Sequence, residues 1–352
     1  MKKPTRKLHL RQRRIARYRA IARAKRRGYH RGAKGQRYFA PGEVLIAPPK
    51  FDLTRGSGLE VAKFLRAFAT TVLTNRIQVK LDFRMTEAFF PAATILLFAE
   101  VDRVVKLSDL PKPVTIIDPR QRRPREVLKQ IGLHDLTGDT CDIVPERQDV
   151  VYWRATKGSD QSGDRLAILE VVAKRVNSDH ANRVELSGIW RGVSEAVANS
   201  VEHAYKRPRP DGFAGLPDTR WWMFTQLRDG TFTVAVCDLG CGYRATINET
   251  IPEQFIAAVA SRFLGGNRDA IAIDTAMQYG RSGTKRSERG KGSRDAISVL
   301  QTHGAGELMI ISNTGSMRYT FLDGKEHRRE PGELGIDIKG TIIWWKLPLK
   351  EK

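Results

Sequence analysis

Cysteine is scarce, with three residues in 352: Cys141, Cys237 and Cys241. Their number and uneven spacing exclude a disulfide framework, and the step from Cys237 to Cys241 lacks the Cys-x-x-Cys spacing of a zinc knuckle. A reducing, cytoplasmic setting is the expectation. No run of about 18 apolar residues occurs, so no membrane-spanning helix is expected. The charged N-terminus is not followed by the apolar stretch of a signal peptide. Acidic residues are missing altogether from residues 1–38, which carry 16 Lys and Arg. The other residues hold 45 Lys and Arg against all 39 Asp and Glu, so only +6 of the formal +22 belongs to them.

The positive excess is therefore a property of an arm, residues 1–38. Leu8, Leu10, Ile15, Tyr18, Ile21 and Ala22 are threaded among its basic residues. Such a segment repels itself in isolation and gains helix against a polyanion. Nucleic acid is the first partner expected, because neutralised phosphates release condensed counterions. An anionic membrane surface comes second, and a solvated extension without a partner is the third reading.

Beyond the arm, the 41% hydrophobic content is that of an ordinary globular chain, and the length allows about two domains. Strand-like and helix-like stretches alternate over 42–140: EVLIAPP, GLEVAKFLRAFATTVLTN, IQVKLDF, AATILLFAEVDRVVKL, PVTIID and RPREVLKQIGL. That rhythm predicts an α/β domain. The polar stretch TKGSDQSGD, residues 156–164, reads as a linker. Over 160–350 two helices, RLAILEVVAKRVNS and SEAVANSVEHAY, precede strands. RWWMFTQLRDGTFTVAVCDLG is a hairpin with Asp229-Gly230 as its turn. A helix at SRDAISVLQTHG and strands at ELMIISNTG, MRYTFLDG and GTIIWWKLPL complete an α+β sandwich. No internal repeat is present.

SEAVANSVEHAY carries Glu195, Asn199, Glu202 and His203 at i, i+4, i+7 and i+8, one face of a regular helix. Lys and Arg are absent from that face, which sets it apart from a merely solvated one. Asp238 ends the apolar run FTVAV, where a buried carboxylate can accept a hydrogen bond from a ligand; the alternative is an Asp that only starts a turn. Gly240 and Gly242 allow a close backbone approach. Gly290 and Gly292 open SRDAISVL, where helix N–H groups suit phosphates, with Lys291 between them as a point charge. The alternative for that Gly-x-Gly is a plain flexible loop. GTKRSERGKGS is no P-loop, because Lys285 stands where its first Gly belongs and Gly292 follows Lys291 in place of Ser or Thr. No Gly-x-Gly-x-x-Gly follows a strand, which excludes a Rossmann site.

Taken in order, SEAVANSVEHAY, CDLGCGY, SERGKGSRDAISVL and GTIIWWKLPL resemble the nucleotide-binding motifs of the GHKL (Bergerat-fold) ATPases. The first is most similar to the anti-sigma-factor serine kinases of that group. The resemblance implies ATP and Mg2+ as cofactors. Asn199 would ligate Mg2+, Glu195 would be the general base, and Asp238 would accept the adenine amine with Thr341 in support. His203 would help position the phosphates or Glu195, the alternative being a structural histidine, and Glu202 would face solvent. Residues 244–289 would form the lid, with Arg281, Lys285, Arg286 or Arg289 closing over phosphate. The functions implied are a regulatory ATPase with slow hydrolysis whose nucleotide state controls a partner, a serine/threonine protein kinase, or a nucleic-acid binder using ATP as a structural ligand. A histidine kinase is excluded, since His180 in SDHANR lacks the following acidic residue. Residues 42–140 resemble a STAS domain, with Asp82 at a strand end but Pro91, Ala92 and Ala93 where the phosphorylatable Ser and its neighbours would stand. A degenerate STAS-like module of this kind implies a protein partner, and a homodimer is a further expectation.

Overall fold

The computed structural model describes residues 29–31, 37–39, 42–53, 56–147, 149–161, 167–179, 186–263, 266–281 and 292–350. Of the basic arm, a short antiparallel pair, β1 (Tyr29–Arg31) with β2 (Arg37–Phe39), falls among them. The rest of residues 1–38 lies outside them, as do His180, Lys285, Arg286, Arg289, Gly290 and Lys291.

The first unit is built on three parallel strands, β3 (Glu43–Ile46), β5 (Val79–Asp82) and β7 (Val114–Ile117), in the order β3-β5-β7. A two-residue pair, β4 (Lys50–Phe51) with β6 (Ala88–Phe89), lies beside them. Parallel strands require crossovers, supplied by α1 (Gly58–Ala69) and α2 (Pro91–Leu107). In α1, Val61, Phe64, Leu65 and Phe68 are buried while Glu60, Lys63 and Arg66 face water, a helical period in plain form. Pro91 begins α2, where its missing N–H has no partner to lose. Asp82 is gripped by Arg84, with Nε–Oδ1 at 2.9 Å and Nη2–Oδ2 at 2.6 Å, which lowers its pKa. Two short helices, α3 (Arg122–Gln130) and α4 (Leu133–Thr137), close the unit.

The second unit is a seven-stranded antiparallel sheet in the order β13-β12-β11-β14-β10-β9-β8. Its strands are β8 (Arg154–Gly158), β9 (Trp221–Arg228), β10 (Thr231–Asp238), β11 (Gly306–Ser312), β12 (Gly315–Leu322), β13 (Lys325–Glu333) and β14 (Thr341–Pro348). Asp229 and Gly230 both have positive φ, 50° and 67°, as the turn joining β9 to β10 demands. The polar stretch expected as a linker begins inside β8, whose last residues Thr156 to Gly158 pair with β9.

Both faces of this sheet are covered. Val234, Val236, Ile310, Ile343 and Trp345 pack with α5 (Ala167–Asp179), α6 (Leu186–Asn199) and α10 (Gly292–His303). On the other face Trp222, Phe224, Ala235, Met309, Ile342 and Trp344 merge with the core of the first unit. That explains strands apolar at every position rather than at alternate ones. Three further helices, α7 (Tyr243–Thr250), α8 (Glu253–Ala260) and α9 (Arg268–Arg281), occupy much of the stretch expected to be a lid. They have a small core of their own around Ile247, Ile251 and Ala272.

A polar seam joins the units. Asp102 of α2 accepts hydrogen bonds from Lys157, from Arg220 at 2.9 Å and from the Trp222 indole at 3.0 Å. Beside it Glu100 pairs with Arg103 and Arg209, and both arginines reach Asp211. Asp102→Ala leaves the buried Trp222 indole and the partly buried Lys157 and Arg220 without this acceptor, and we expect a loss of about 3 kcal/mol in stability. Urea unfolding of the whole chain measures this; a change below about 1 kcal/mol would show that the seam does not hold the units together.

Candidate functional site

Register sets the first part of the site. Asp238 of β10 pairs with Thr341 of β14, which pairs with Ser312 of β11. Alternation gives each the side occupied by Val236, Ile343 and Ile310, so all three face the helix layer at one end of the sheet. All are buried, and the Ser312 and Thr341 hydroxyls are 3.5 Å apart. Burial pushes the Asp238 carboxyl up to about 6, although the Gly240 and Thr341 amides, the charge on Arg209 and the Ser200 hydroxyl favour its ionised form. It is a carboxylate held where neutrality is nearly as favourable, ready for a ligand that donates hydrogen bonds.

The loop after Asp238 is locked to the end of the Glu195 helix. Gly240 N–H donates to Asp238 Oδ1 at 3.0 Å and Cys241 N–H to the Ala204 carbonyl at 2.8 Å. A Cβ on Gly240 would stand 2.2 Å from that carbonyl oxygen. At Gly242, φ is +78° and a Cβ would meet Asn313 Nδ2 at 2.4 Å. Gly240→Ala is expected to destabilise the chain by about 3 kcal/mol, since backbone on both sides must shift. A thermal melt checks this, and an unchanged midpoint would refute the close approach. Tyr243 N–H donates to Ser312 Oγ at 3.0 Å. Burial and then the nearby Asp238 and Glu195 carboxylates push the Tyr243 hydroxyl pKa well up, so its ring feels both ends of the site.

The second part of the site stands on α6. Asn199 Nδ2 donates to Glu195 Oε1 at 3.2 Å, as their i, i+4 spacing allows. Glu195 borders a cleft of about 520 Å³ lined also by Gln161, Trp190, Arg191, Ser194 and Asp295. Asp295 sits in the first turn of α10, the helix that Gly292 opens. Gly192 lets α6 and α10 pack closely, because a Cβ there would lie 2.4 Å from Val299 Cγ2. Burial raises the pKa of Glu195, the Asp295 and Glu202 carboxylates add to the rise, and the Asn199 amide opposes it. A carboxylate raised in this way is a better proton acceptor near neutral pH, and two adjacent acids attract a divalent cation.

The remaining residues fall less neatly. The helix does not continue in α form: residues Ser200–Ala204 form a π turn, so the face predicted from a 3.6-residue period is lost after Asn199. His203 lies half-exposed in that turn, 3.9 Å from Glu202, and Glu202 accepts a hydrogen bond from Gln161 at 2.9 Å. Gly290 and Lys291 fall outside the described residues. Sequence reasoning passed over Ser200, Ser312, Tyr243 and Asp295. Register and helix packing alone bring the first three to Asp238, whereas Asp295, in the first turn of a helix beside two glycines, carried a readable signal. No family model matches this sequence, and no curated protein matches it. Among the described residues no helix is long and apolar enough to cross a membrane.

Proposed function

We propose that residues 160–350 bind ATP with Mg2+ and that the chain is a regulatory ATPase of GHKL type whose nucleotide state controls a protein partner. The observation that carries this reading is the buried Asp238, set beside Thr341 and Ser312 on the side of the sheet facing α6. A carboxylate there accepts the adenine amine and repels the guanine carbonyl oxygen at the same position. Asn199, a neutral oxygen donor next to Glu195, suits a Mg2+ that keeps most of its waters. Glu195 takes the proton of the attacking water, and its raised pKa suits that task. Gly292 at the start of α10 supports phosphate binding at a helix N-terminus. The basic arm supplies an electrostatic contact to nucleic acid, and the STAS-like unit supplies the protein contact.

Calorimetry on the whole chain tests the reading: ATP with Mg2+ binds, while GTP and Mg2+-free ATP bind at least tenfold more weakly. Equal affinity for ATP and GTP would overturn the role of Asp238. Labelled ATP then separates the outcomes: free phosphate indicates an ATPase, label on a second polypeptide a kinase, and neither a nucleotide held as a structural ligand.

A further inference from the structure

Away from the nucleotide site, the first unit gathers three different metal-binding side chains at the end of its sheet. Asp118 follows β7, His134 lies in α4, and Cys141 sits on the irregular segment that follows. His134 Nε2 is 2.9 Å from Asp118 Oδ1, and Cys141 Sγ donates to Asp118 Oδ2 at 3.8 Å. One ligand atom from each lies within 4.8 Å of the others. Tetrahedral zinc, with bonds of about 2.0–2.3 Å, sets its ligand atoms roughly 3.3–3.8 Å apart. The trio is therefore close to assembled.

A buried Asp–His pair is also an ordinary core device, and one feature argues beyond it. The third member is a thiol, a weak donor that contributes little as a hydrogen bond but much as a thiolate ligand. The nitrogen that faces Asp118 is Nε2, so a metal ion held by all three residues takes the Nε2 lone pair in place of the hydrogen bond to Asp118. Arg125, 3.3 Å from Asp118 Oδ2, anchors the carboxylate.

We propose that Asp118, His134 and Cys141 form a binding site for a borderline divalent ion, zinc in the first instance. A carboxylate, a thiolate and a neutral imidazole bring two negative charges to offset the ion's two positive ones. The set favours zinc over Mg2+ or Ca2+, which want oxygen alone. Binding displaces the thiol proton to solvent, so affinity rises with pH. The fourth position is left to water. Because the ligands span the end of β7, α4 and the segment leading to β8, the ion ties down the connection between the units and makes stability depend on metal.

The test uses the reduced, metal-stripped whole chain titrated with Co2+, then Zn2+. One equivalent of Co2+ is expected, giving a thiolate-to-cobalt charge-transfer band and intense four-coordinate visible bands, both removed by Zn2+. Cys141→Ser abolishes the charge-transfer band, His134→Gln weakens binding at least tenfold, and Zn2+ raises the melting temperature of the wild type more than that of either variant. In the wild type Zn2+ also slows alkylation of Cys141, a readout that does not depend on any variant folding. The site is overturned if no charge-transfer band appears, if the band survives in Cys141→Ser, or if Zn2+ leaves the alkylation rate unchanged. The band is expected intact in Asp238→Asn, so failure here and failure of the nucleotide reading are told apart.

Discussion

Asp238→Asn is expected to lower ATP affinity about 100-fold while making the ligand-free protein more stable. The amide sets donors against the donating adenine amine, and a hundredfold loss is about 2.7 kcal/mol. The gain in stability follows from the burial that pushes the carboxyl up from 3.8 to about 6. An acid whose folded-state pKa is raised binds its proton more tightly when folded, so it imposes no penalty below about pH 3.8. The penalty grows from there to about pH 6 and then stays level. At pH 7 it reaches about 3 kcal/mol, at roughly 1.4 kcal/mol per unit, as an upper figure for what Asn recovers. Melting curves from pH 4 to 8 should show a decline in the wild type that Asp238→Asn lacks. Calorimetry over the same range should show ATP binding fade below about pH 6. Unchanged affinity in the variant would end the adenine assignment.

Glu195→Gln is expected to slow ATP hydrolysis by about 10²–10⁴, the usual share of a general base, with ATP affinity kept within about threefold. Asn199→Ala is expected to differ in kind. It removes the neutral oxygen beside the base, so the preference for Mg2+-ATP over free ATP should collapse while metal-free binding stays near its former level. Single-turnover rates and titrations with and without Mg2+ separate the two effects. Asn199→Ala also removes the hydrogen bond from Nδ2 to Oε1, which a glutamine at position 195 keeps through its amide oxygen, so the two effects should be coupled and non-additive. Wild-type hydrolysis in both would show that neither residue belongs to the site.

The pair Glu195 and Asn199 was legible because helical spacing alone sets two polar groups one turn apart. The β9–β10 hairpin was legible because Asp-Gly matches a turn with two positive φ values. β13 was not, since KEHRREPGE is charged and contains Pro331 and Gly332. It pairs only with β12 at the sheet edge, where neither burial nor a full set of donors is required. Ser312 was hidden for another reason: its position beside Thr341 depends on pairing between strands almost thirty residues apart, which local pattern does not encode. The π turn misled the prediction for His203, because a change in helical period leaves no mark in composition. The buried charges of α2 were equally silent: Glu100 and Arg103 meet within the helix, but their further partners Arg209 and Asp211, and those of Asp102, come from outside it.

The sheet core shared by the two units bears on how this protein can be handled. A fragment confined to residues 160–350 would lay bare Trp222, Phe224, Met309, Ile342 and Trp344, all buried in the intact chain. Such a contiguous aromatic and aliphatic surface invites self-association. Truncation is therefore a poor route to an isolated nucleotide-binding module, and heat or urea should melt both units in one cooperative transition.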